Sequence, residues 1–315
     1  MKESTVSQVT ISEEEAGQRL DNFLLKWAKG VPKSHIYRII RSGEVRVNKK
    51  RPDVTTRIAV GDVIRIPPIR VSEPKPEDKI NENIANSQKI NKKIPILFED
   101  DAILIVDKPS GLAVHGGSGI SLGLIEALRH ARPELKFLEL VHRLDRDTSG
   151  ILMLAKKRSA LVALHEQIRA GKIDKRYTLM GHGNLPKSSK PMPLKFPLLK
   201  YLMPNGERRV RVDEGGQECH TILRVVGPAR QGLCFVGEAQ LKTGRTHQIR
   251  VHLKHIGHSL VGDDKYGDSG LDKLVSAKRL MLHAHFLCFV HPKTGLKQVV
   301  ECPPPAGFEL DMEPK

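Results

Sequence analysis

His142-Arg143-Leu144-Asp145-Arg146-Asp147-Thr148-Ser149-Gly150 runs directly into the apolar segment Ile151-Leu152-Met153-Leu154-Ala155. No other stretch constrains the chain as much, because it joins a charged loop to a buried strand that can hold the loop still. Asp145 stands between Arg143 and Arg146. A nearby cation favours the ionised carboxylate, which is the form a nucleophile needs. The same arginines could grip phosphates of a polyanion while the carboxylate attacks elsewhere. The plainer alternative is a solvated ion cluster, which is worth little energetically.

The 315 residues suffice for two domains of roughly 150 each. Hydrophobic residues make up 39%, but aromatics only 4%, so aliphatic side chains must fill the core. Lys and Arg total 52 against 36 Asp and Glu, a net charge of +16. That balance argues for RNA or DNA as a partner before an acidic membrane. No run approaches the ~18 apolar residues of a spanning helix. The opening residues lack the apolar core of a signal peptide. Cys219, Cys234, Cys288 and Cys302 form no Cys-x-x-Cys pair, which excludes zinc ribbons and fits free thiols. The expectation is a soluble, cytoplasmic protein. The 14 histidines match no standard metal-ligand spacing, and no phosphate-binding Walker loop is present. Gly116 to Gly119 reads only as a glycine turn.

Charge is concentrated early. Residues 16–70 carry 13 Lys or Arg against four acids, a local charge of +9. Leu20, Phe23, Leu24 and Trp27 predict an amphipathic helix. Pro32 and Ser34 open a second helix, with Ile36, Ile39 and Ile40 on one side and Gly43 closing it. Val45 and Val47 suggest a strand, and Gly61-Asp62 a turn between strands at 58–60 and 63–66. Lys33, Arg38 and Arg41 on the second helix, with Lys49 and Lys50 after the strand, would present a basic face to RNA. A merely solvated helix face is the alternative. Residues 1–15 read as a tail and 71–93 as a polar, flexible linker. From 94 to 315, runs of strands with interspersed helices and no regular βαβ beat predict an α+β domain on a mixed, largely antiparallel sheet with flanking helices. Within it, residues 184–218 read as loop-rich. Thr246 reads as the cap of a helix that carries Arg250 on the same face.

The loop around Asp145 resembles the signature of the RluA-type pseudouridine synthases, His-Arg-Leu-Asp-x-x-Thr-Ser-Gly, in which the aspartate is the nucleophile. Arg245-Thr246-His247-Gln248-Ile249-Arg250 resembles a second motif of that family, whose arginine pairs with the aspartate; this implies that role for Arg250. Arg245 and His247 would then be backbone-binding or structural. Lys175-Arg176-Tyr177 is similar to a motif whose tyrosine stacks on the target base, which implies for Tyr177 that place and a candidate acid-base role near C2′. Arg279 to Ala284 resembles the segment that lays apolar residues beneath the base, here Leu282. Arg19-Leu20-Asp21-x-x-Leu24, with Ser34, Arg38 and Gly43-x-Val45-x-Val47, resembles an S4 RNA-binding domain. Alone, Tyr177 would pass for an ordinary strand residue and Arg250 for an exposed helical arginine.

The resemblance implies isomerisation of several uridines of 23S ribosomal RNA to pseudouridine, without cofactor or metal, by a protein acting as a monomer. Asp145, Tyr177 and Arg250 would be catalytic. Arg143, Arg146, Arg245 and the basic residues of the small domain would hold RNA. Two other readings compete: a binding-only ribosome-assembly factor, and a metal-dependent nuclease built on Asp145 and Asp147.

Overall fold

The computed structural model describes residues 6–28, 30–69, 90, 94–116, 122–188 and 190–311. The expected linker, Ile90 aside, and most of the Gly116–Gly119 turn lie outside them. The chain divides into two compact units, Met1–Glu82 and Asn83–Lys315.

In the first unit, α1 (Leu20–Trp27) and α2 (Lys33–Arg41) pack Leu20, Phe23, Leu24, Ile36, Ile39 and Ile40 into one aliphatic core. Trp27 stays largely outside it. The small sheet has the order β1 (Ser7–Thr10), β3 (Val63–Ile66), β2 (Arg46–Val47), all antiparallel. Two expectations are corrected here. Residues 7–10 are not tail: they pair with β3 in the register Ser7 to Ile66. The hairpin expected from 58–60 to 63–66 does not form, because β1 and β2 already occupy both edges of β3. Ile58 instead donates its amide to the Gln18 carbonyl, and the Asp62 carboxylate accepts the Ala59 amide to close the turn.

The second unit is built on a ten-stranded sheet. Its strands are β4 (Ile96–Glu99), β5 (Ile103–Lys108), β6 (Glu139–Leu140), β7 (Ser149–Ala155), β8 (Asp174–His182), β9 (Met192–Leu194), β12 (Thr221–Ala229), β13 (Cys234–Leu241), β14 (Leu282–Val290) and β15 (Lys297–Glu301). The main path runs β4-β5-β7-β14-β8-β13-β12-β9, with β15 on β14 and β6 on β7. A separate hairpin, β10 (Leu198–Leu202) with β11 (Arg208–Val212), stands where residues 184–218 were expected to be loop-rich. Four helices accompany the sheet among the described residues: α3 (Leu124–Ala131), α4 (Arg158–Arg169), α5 (Gln248–His255) and α6 (Ser269–Leu274). The architecture is α+β, on a mixed and largely antiparallel sheet.

Every residue of β7 is buried, as its unbroken apolar run requires. The one parallel pairing among the described residues, β7 with β14, places His283 opposite Ser149. Parallel neighbours begin at the same end, so the loop that precedes β7 meets the start of β14. The antiparallel neighbour β8 sets Tyr177 opposite Ala284 and Leu179 opposite Leu282. Three chain segments distant in sequence thus converge on one end of the central strands.

The seam depends on Gly150, which has φ +105° and whose missing Cβ would press into the Ala284 carbonyl. Gly171 also has positive φ, but nothing surrounds it. Gly150→Ala is therefore expected to destabilise by at least about 2 kcal/mol, against about 1 kcal/mol for Gly171→Ala. Thermal unfolding of the two variants side by side should show the larger drop in midpoint for Gly150→Ala.

Candidate active site

The Asp145 loop is held largely through its backbone, which leaves Arg143 and Asp145 to face the cleft. Lys108, fully buried at the end of β5, donates from Nζ to the carbonyls of Pro109, Leu112 and Arg146 at 2.8–2.9 Å. Burial pulls this lysine down to about 7. Ser110 Oγ donates to the Asp147 carbonyl, and Leu144 plugs into the core. At the start of the loop, His142 Nε2 accepts the Met153 amide at 3.1 Å.

A cleft of about 850 Å³ opens beside this loop, a size that accommodates a nucleotide. It brings together Arg143, Asp145, Tyr177, Arg245, Arg250 and Leu282, all residues singled out from the sequence. Arg143 and Arg245 are exposed at the cleft, Leu282 is buried, and Tyr177 is 6% exposed. Burial first, and then the charge of Asp145, push the Tyr177 phenol well above the usual tyrosine range.

Arg250 is the buried cation of the site, at 2% side-chain exposure. Its Nη1 donates to Asp145 Oδ2 at 3.3 Å. Its Nε and Nη2 make a fork onto Asp263 at 2.8 and 2.6 Å, and Nη2 also reaches Asp264 at 3.1 Å. Burial alone would lower Arg250, but the hydrogen bond to Asp263 and the charges of Asp263 and Asp145 raise it. Burial likewise opposes the charge on Asp263, and Arg250 outweighs it, holding that carboxyl below its ordinary range.

Arg146 does not flank Asp145 as expected. It is exposed and paired with Asp147 at 3.1 Å and Asp264 at 3.8 Å, because those carboxylates lie on the solvent side of the loop. The start of the Arg250 helix also differs: α5 begins at Gln248, not after a Thr246 cap. Gln248 replaces the cap, its Oε1 accepting the Arg245 amide and the Thr243 hydroxyl. Sequence reasoning missed the Gly262–Gly267 loop altogether. It supplies Asp263 and Asp264, and Tyr266, whose ring lies 5.2 Å from the Arg250 guanidinium. Two adjacent acids between glycines were the available signal, but such a pair normally marks a solvated turn. Among the described residues no three His, Cys, Asp or Glu side chains gather in a way that could hold a metal ion, and no helix is long and apolar enough to cross a membrane.

On the first unit, Lys33, Arg38 and Arg41 line a groove of about 710 Å³ together with Ser34, Tyr37 and Ser42. Lys33 and Arg41 lie 5.2 and 5.8 Å from the Tyr37 ring. Lys49 and Lys50 are exposed in the turn after β2 and are not part of the groove.

Residues 102–255 match the RNA pseudouridylate synthase family, and residues 18–64 match the S4 domain. The chain is 50% identical over 293 residues to ribosomal large subunit pseudouridine synthase C of Pasteurella multocida, covering 92% of this chain and 88% of that protein. It is 48% identical over 311 residues to the Escherichia coli K12 protein of the same name, covering 97% and 95%. This chain belongs to the RNA pseudouridine synthase family. The fold of the synthase is also that of human RNA pseudouridylate synthase domain containing 1, with a TM-score of 0.58 at 24% identity over 69% of this chain and 86% of that one. The enzyme therefore joins an S4 domain to a pseudouridine synthase domain.

The synthase should respond to acid through His142. Burial pushes this imidazole down to about 3, against 6.5 when unfolded. The unfolded chain then binds the proton first, so stability is intact above pH 6.5 and falls as pH drops from 6.5 towards 3. Thermal midpoints across that window should decline less in His142→Gln than in the parent if this histidine contributes as described.

Proposed function

We propose that the synthase converts several uridines of 23S ribosomal RNA to pseudouridine, with Asp145 as nucleophile. The observation that carries the substrate is 48–50% identity, over nearly the whole chain, to relatives named ribosomal large subunit pseudouridine synthase C. The geometry supports the chemistry. The reaction breaks the N1–C1′ bond of a uridine, turns the base and joins C5 to C1′. C5 loses its proton to solvent and N1 gains one, so no oxidant, reductant or co-substrate is consumed.

A stacked base cannot present C1′ to a side chain, so the nucleotide is flipped into the cleft at a cost of a few kcal/mol. Arg143, exposed at the cleft, fills the vacated position or holds the neighbouring phosphates. Asp145, partly exposed and steadied by Arg250, acts at C1′. Tyr177 stacks on the uracil. Burial and the Asp145 charge raise its phenol, which is protonated at neutral pH and can donate a hydrogen bond. Leu282 forms an apolar floor that keeps water from the intermediate. Arg245 and the groove of α2 bind RNA phosphates, adding affinity more than base selectivity.

The geometry disfavours a nuclease using Asp145 and Asp147, because Asp147 is engaged by Arg146. Release of tritium from 23S rRNA bearing 5-tritiated uridine tests the proposal. The parent enzyme should release label in the presence of EDTA, and Asp145→Asn should be slower by roughly 10³-fold or more. Tight RNA binding without release would favour the binding-only reading. Loss of activity with EDTA would favour metal chemistry.

A further inference from the structure

His247 has three features that the roles above leave unused. Its backbone is left-handed, at φ 53°, a conformation a histidine keeps only where its surroundings over-determine it. Its side chain is 14% exposed, and Nε2 lies 3.8 Å from Oδ1 of Asp145, the oxygen that Arg250 does not take. On the far side of the ring, Nδ1 is 2.7 Å from the Tyr266 hydroxyl.

Tyr266 on one side and Asp145 on the other set which ring nitrogen carries the proton. The Val210 amide donates to the Tyr266 oxygen at 3.0 Å. The phenol keeps its proton to give, and His247 Nδ1 stands within its reach, while an Nε2 lone pair turned on the Asp145 carboxylate would be repelled. Nδ1 is therefore the acceptor, and the proton of a neutral ring sits on Nε2, facing the carboxylate.

We propose that His247 is a positioning residue for Asp145, fixed by Tyr266 as the Nε2–H tautomer so that its N–H and the Arg250 guanidinium hold the two carboxylate oxygens from different sides. Asp145, Asp263, Arg250 and Lys265 face this ring, and burial outweighs the two carboxylates in keeping it neutral. The 3.8 Å separation is longer than a hydrogen bond, as catalytic contacts often are before substrate arrives, and it tightens when a nucleotide fills the cleft. Tyr266 also lies against Arg250, so one side chain of the 262–267 loop sets both partners of Asp145.

The inference rests on Asp145 being the reacting carboxylate. Its test is single-turnover tritium release and RNA binding for Tyr266→Phe, His247→Asn and the double variant. Phenylalanine keeps the ring beside Arg250, and asparagine tolerates the left-handed backbone. Each single change should slow turnover about tenfold, with RNA affinity within about twofold of the parent. The double variant should be no slower than His247→Asn, because the Tyr266 hydroxyl acts through His247. Nitrogen-15 spectra should place the His247 proton on Nε2 in the parent and on a mixture of both nitrogens in Tyr266→Phe. Parent-like rates in both singles, losses that multiply in the double, or a proton on Nδ1 in the parent would each overturn it. An inactive Asp145→Asn beside unimpaired Tyr266→Phe and His247→Asn defeats this inference alone. An active Asp145→Asn defeats the nucleophile reading itself.

Discussion

One guanidinium shared among three carboxylates organises the catalytic end of this enzyme. Arg250 gives its two shortest bonds to Asp263, which is wholly buried, and a longer one of 3.3 Å to Asp145. The fork with Asp263 fixes the plane and direction of the guanidinium, and only then is Nη1 available to the loop opposite. Removing either member of such a buried pair leaves an uncompensated charge, a loss of about 3–5 kcal/mol. Arg250 is thus structurally the partner of Asp263. Asp145 is the adjustable member: oriented, partly exposed, and not locked into a bidentate fork with the arginine.

The topology explains why this arrangement can exist on so short a loop. β7 and β14 run parallel, so the segments that enter them lie side by side, and β8 brings Tyr177 across from β14. Lys108 and Ser110 hold the loop through carbonyl oxygens of Arg146 and Asp147. Holding a loop by its main chain leaves Arg143 and Asp145 free to face the cleft. Gly150 lets β7 approach β14 closely, with no side chain to force the strands apart.

How much of this was legible in the sequence depended on whether a feature was local. The Asp145 loop and its strand, the helices at 20–27 and 33–41, and the strands carrying Tyr177 and Leu282 follow from short-range pattern, and the structure places them accordingly. Features set by tertiary partners were not legible. Ser7–Thr10 has no strong strand signal and becomes a strand because β3 offers an open edge. In the β10–β11 hairpin, Arg208, Arg209 and Arg211 crowd β11 with charge, which hides its alternation. Asp263 reads as a turn residue until Arg250, 13 positions earlier, is folded against it. A greater separation, 19 positions between Tyr266 and His247, concealed the tyrosine and gave His247 the look of a bystander.

The distribution of charge also separates holding RNA from acting on it. Lys33, Arg38 and Arg41 on α2, and Arg143 and Arg245 at the cleft, are exposed cations suited to phosphates, and phosphate contacts carry no sequence information. On the proposed reading, a base in the cleft meets the Tyr177 face and the Leu282 floor, surfaces on which any pyrimidine could stack. Choice among uridines then comes, on that reading, from which ones an RNA fold can deliver, flipped, to Asp145. That is why the motifs specify the reaction so much more sharply than the target.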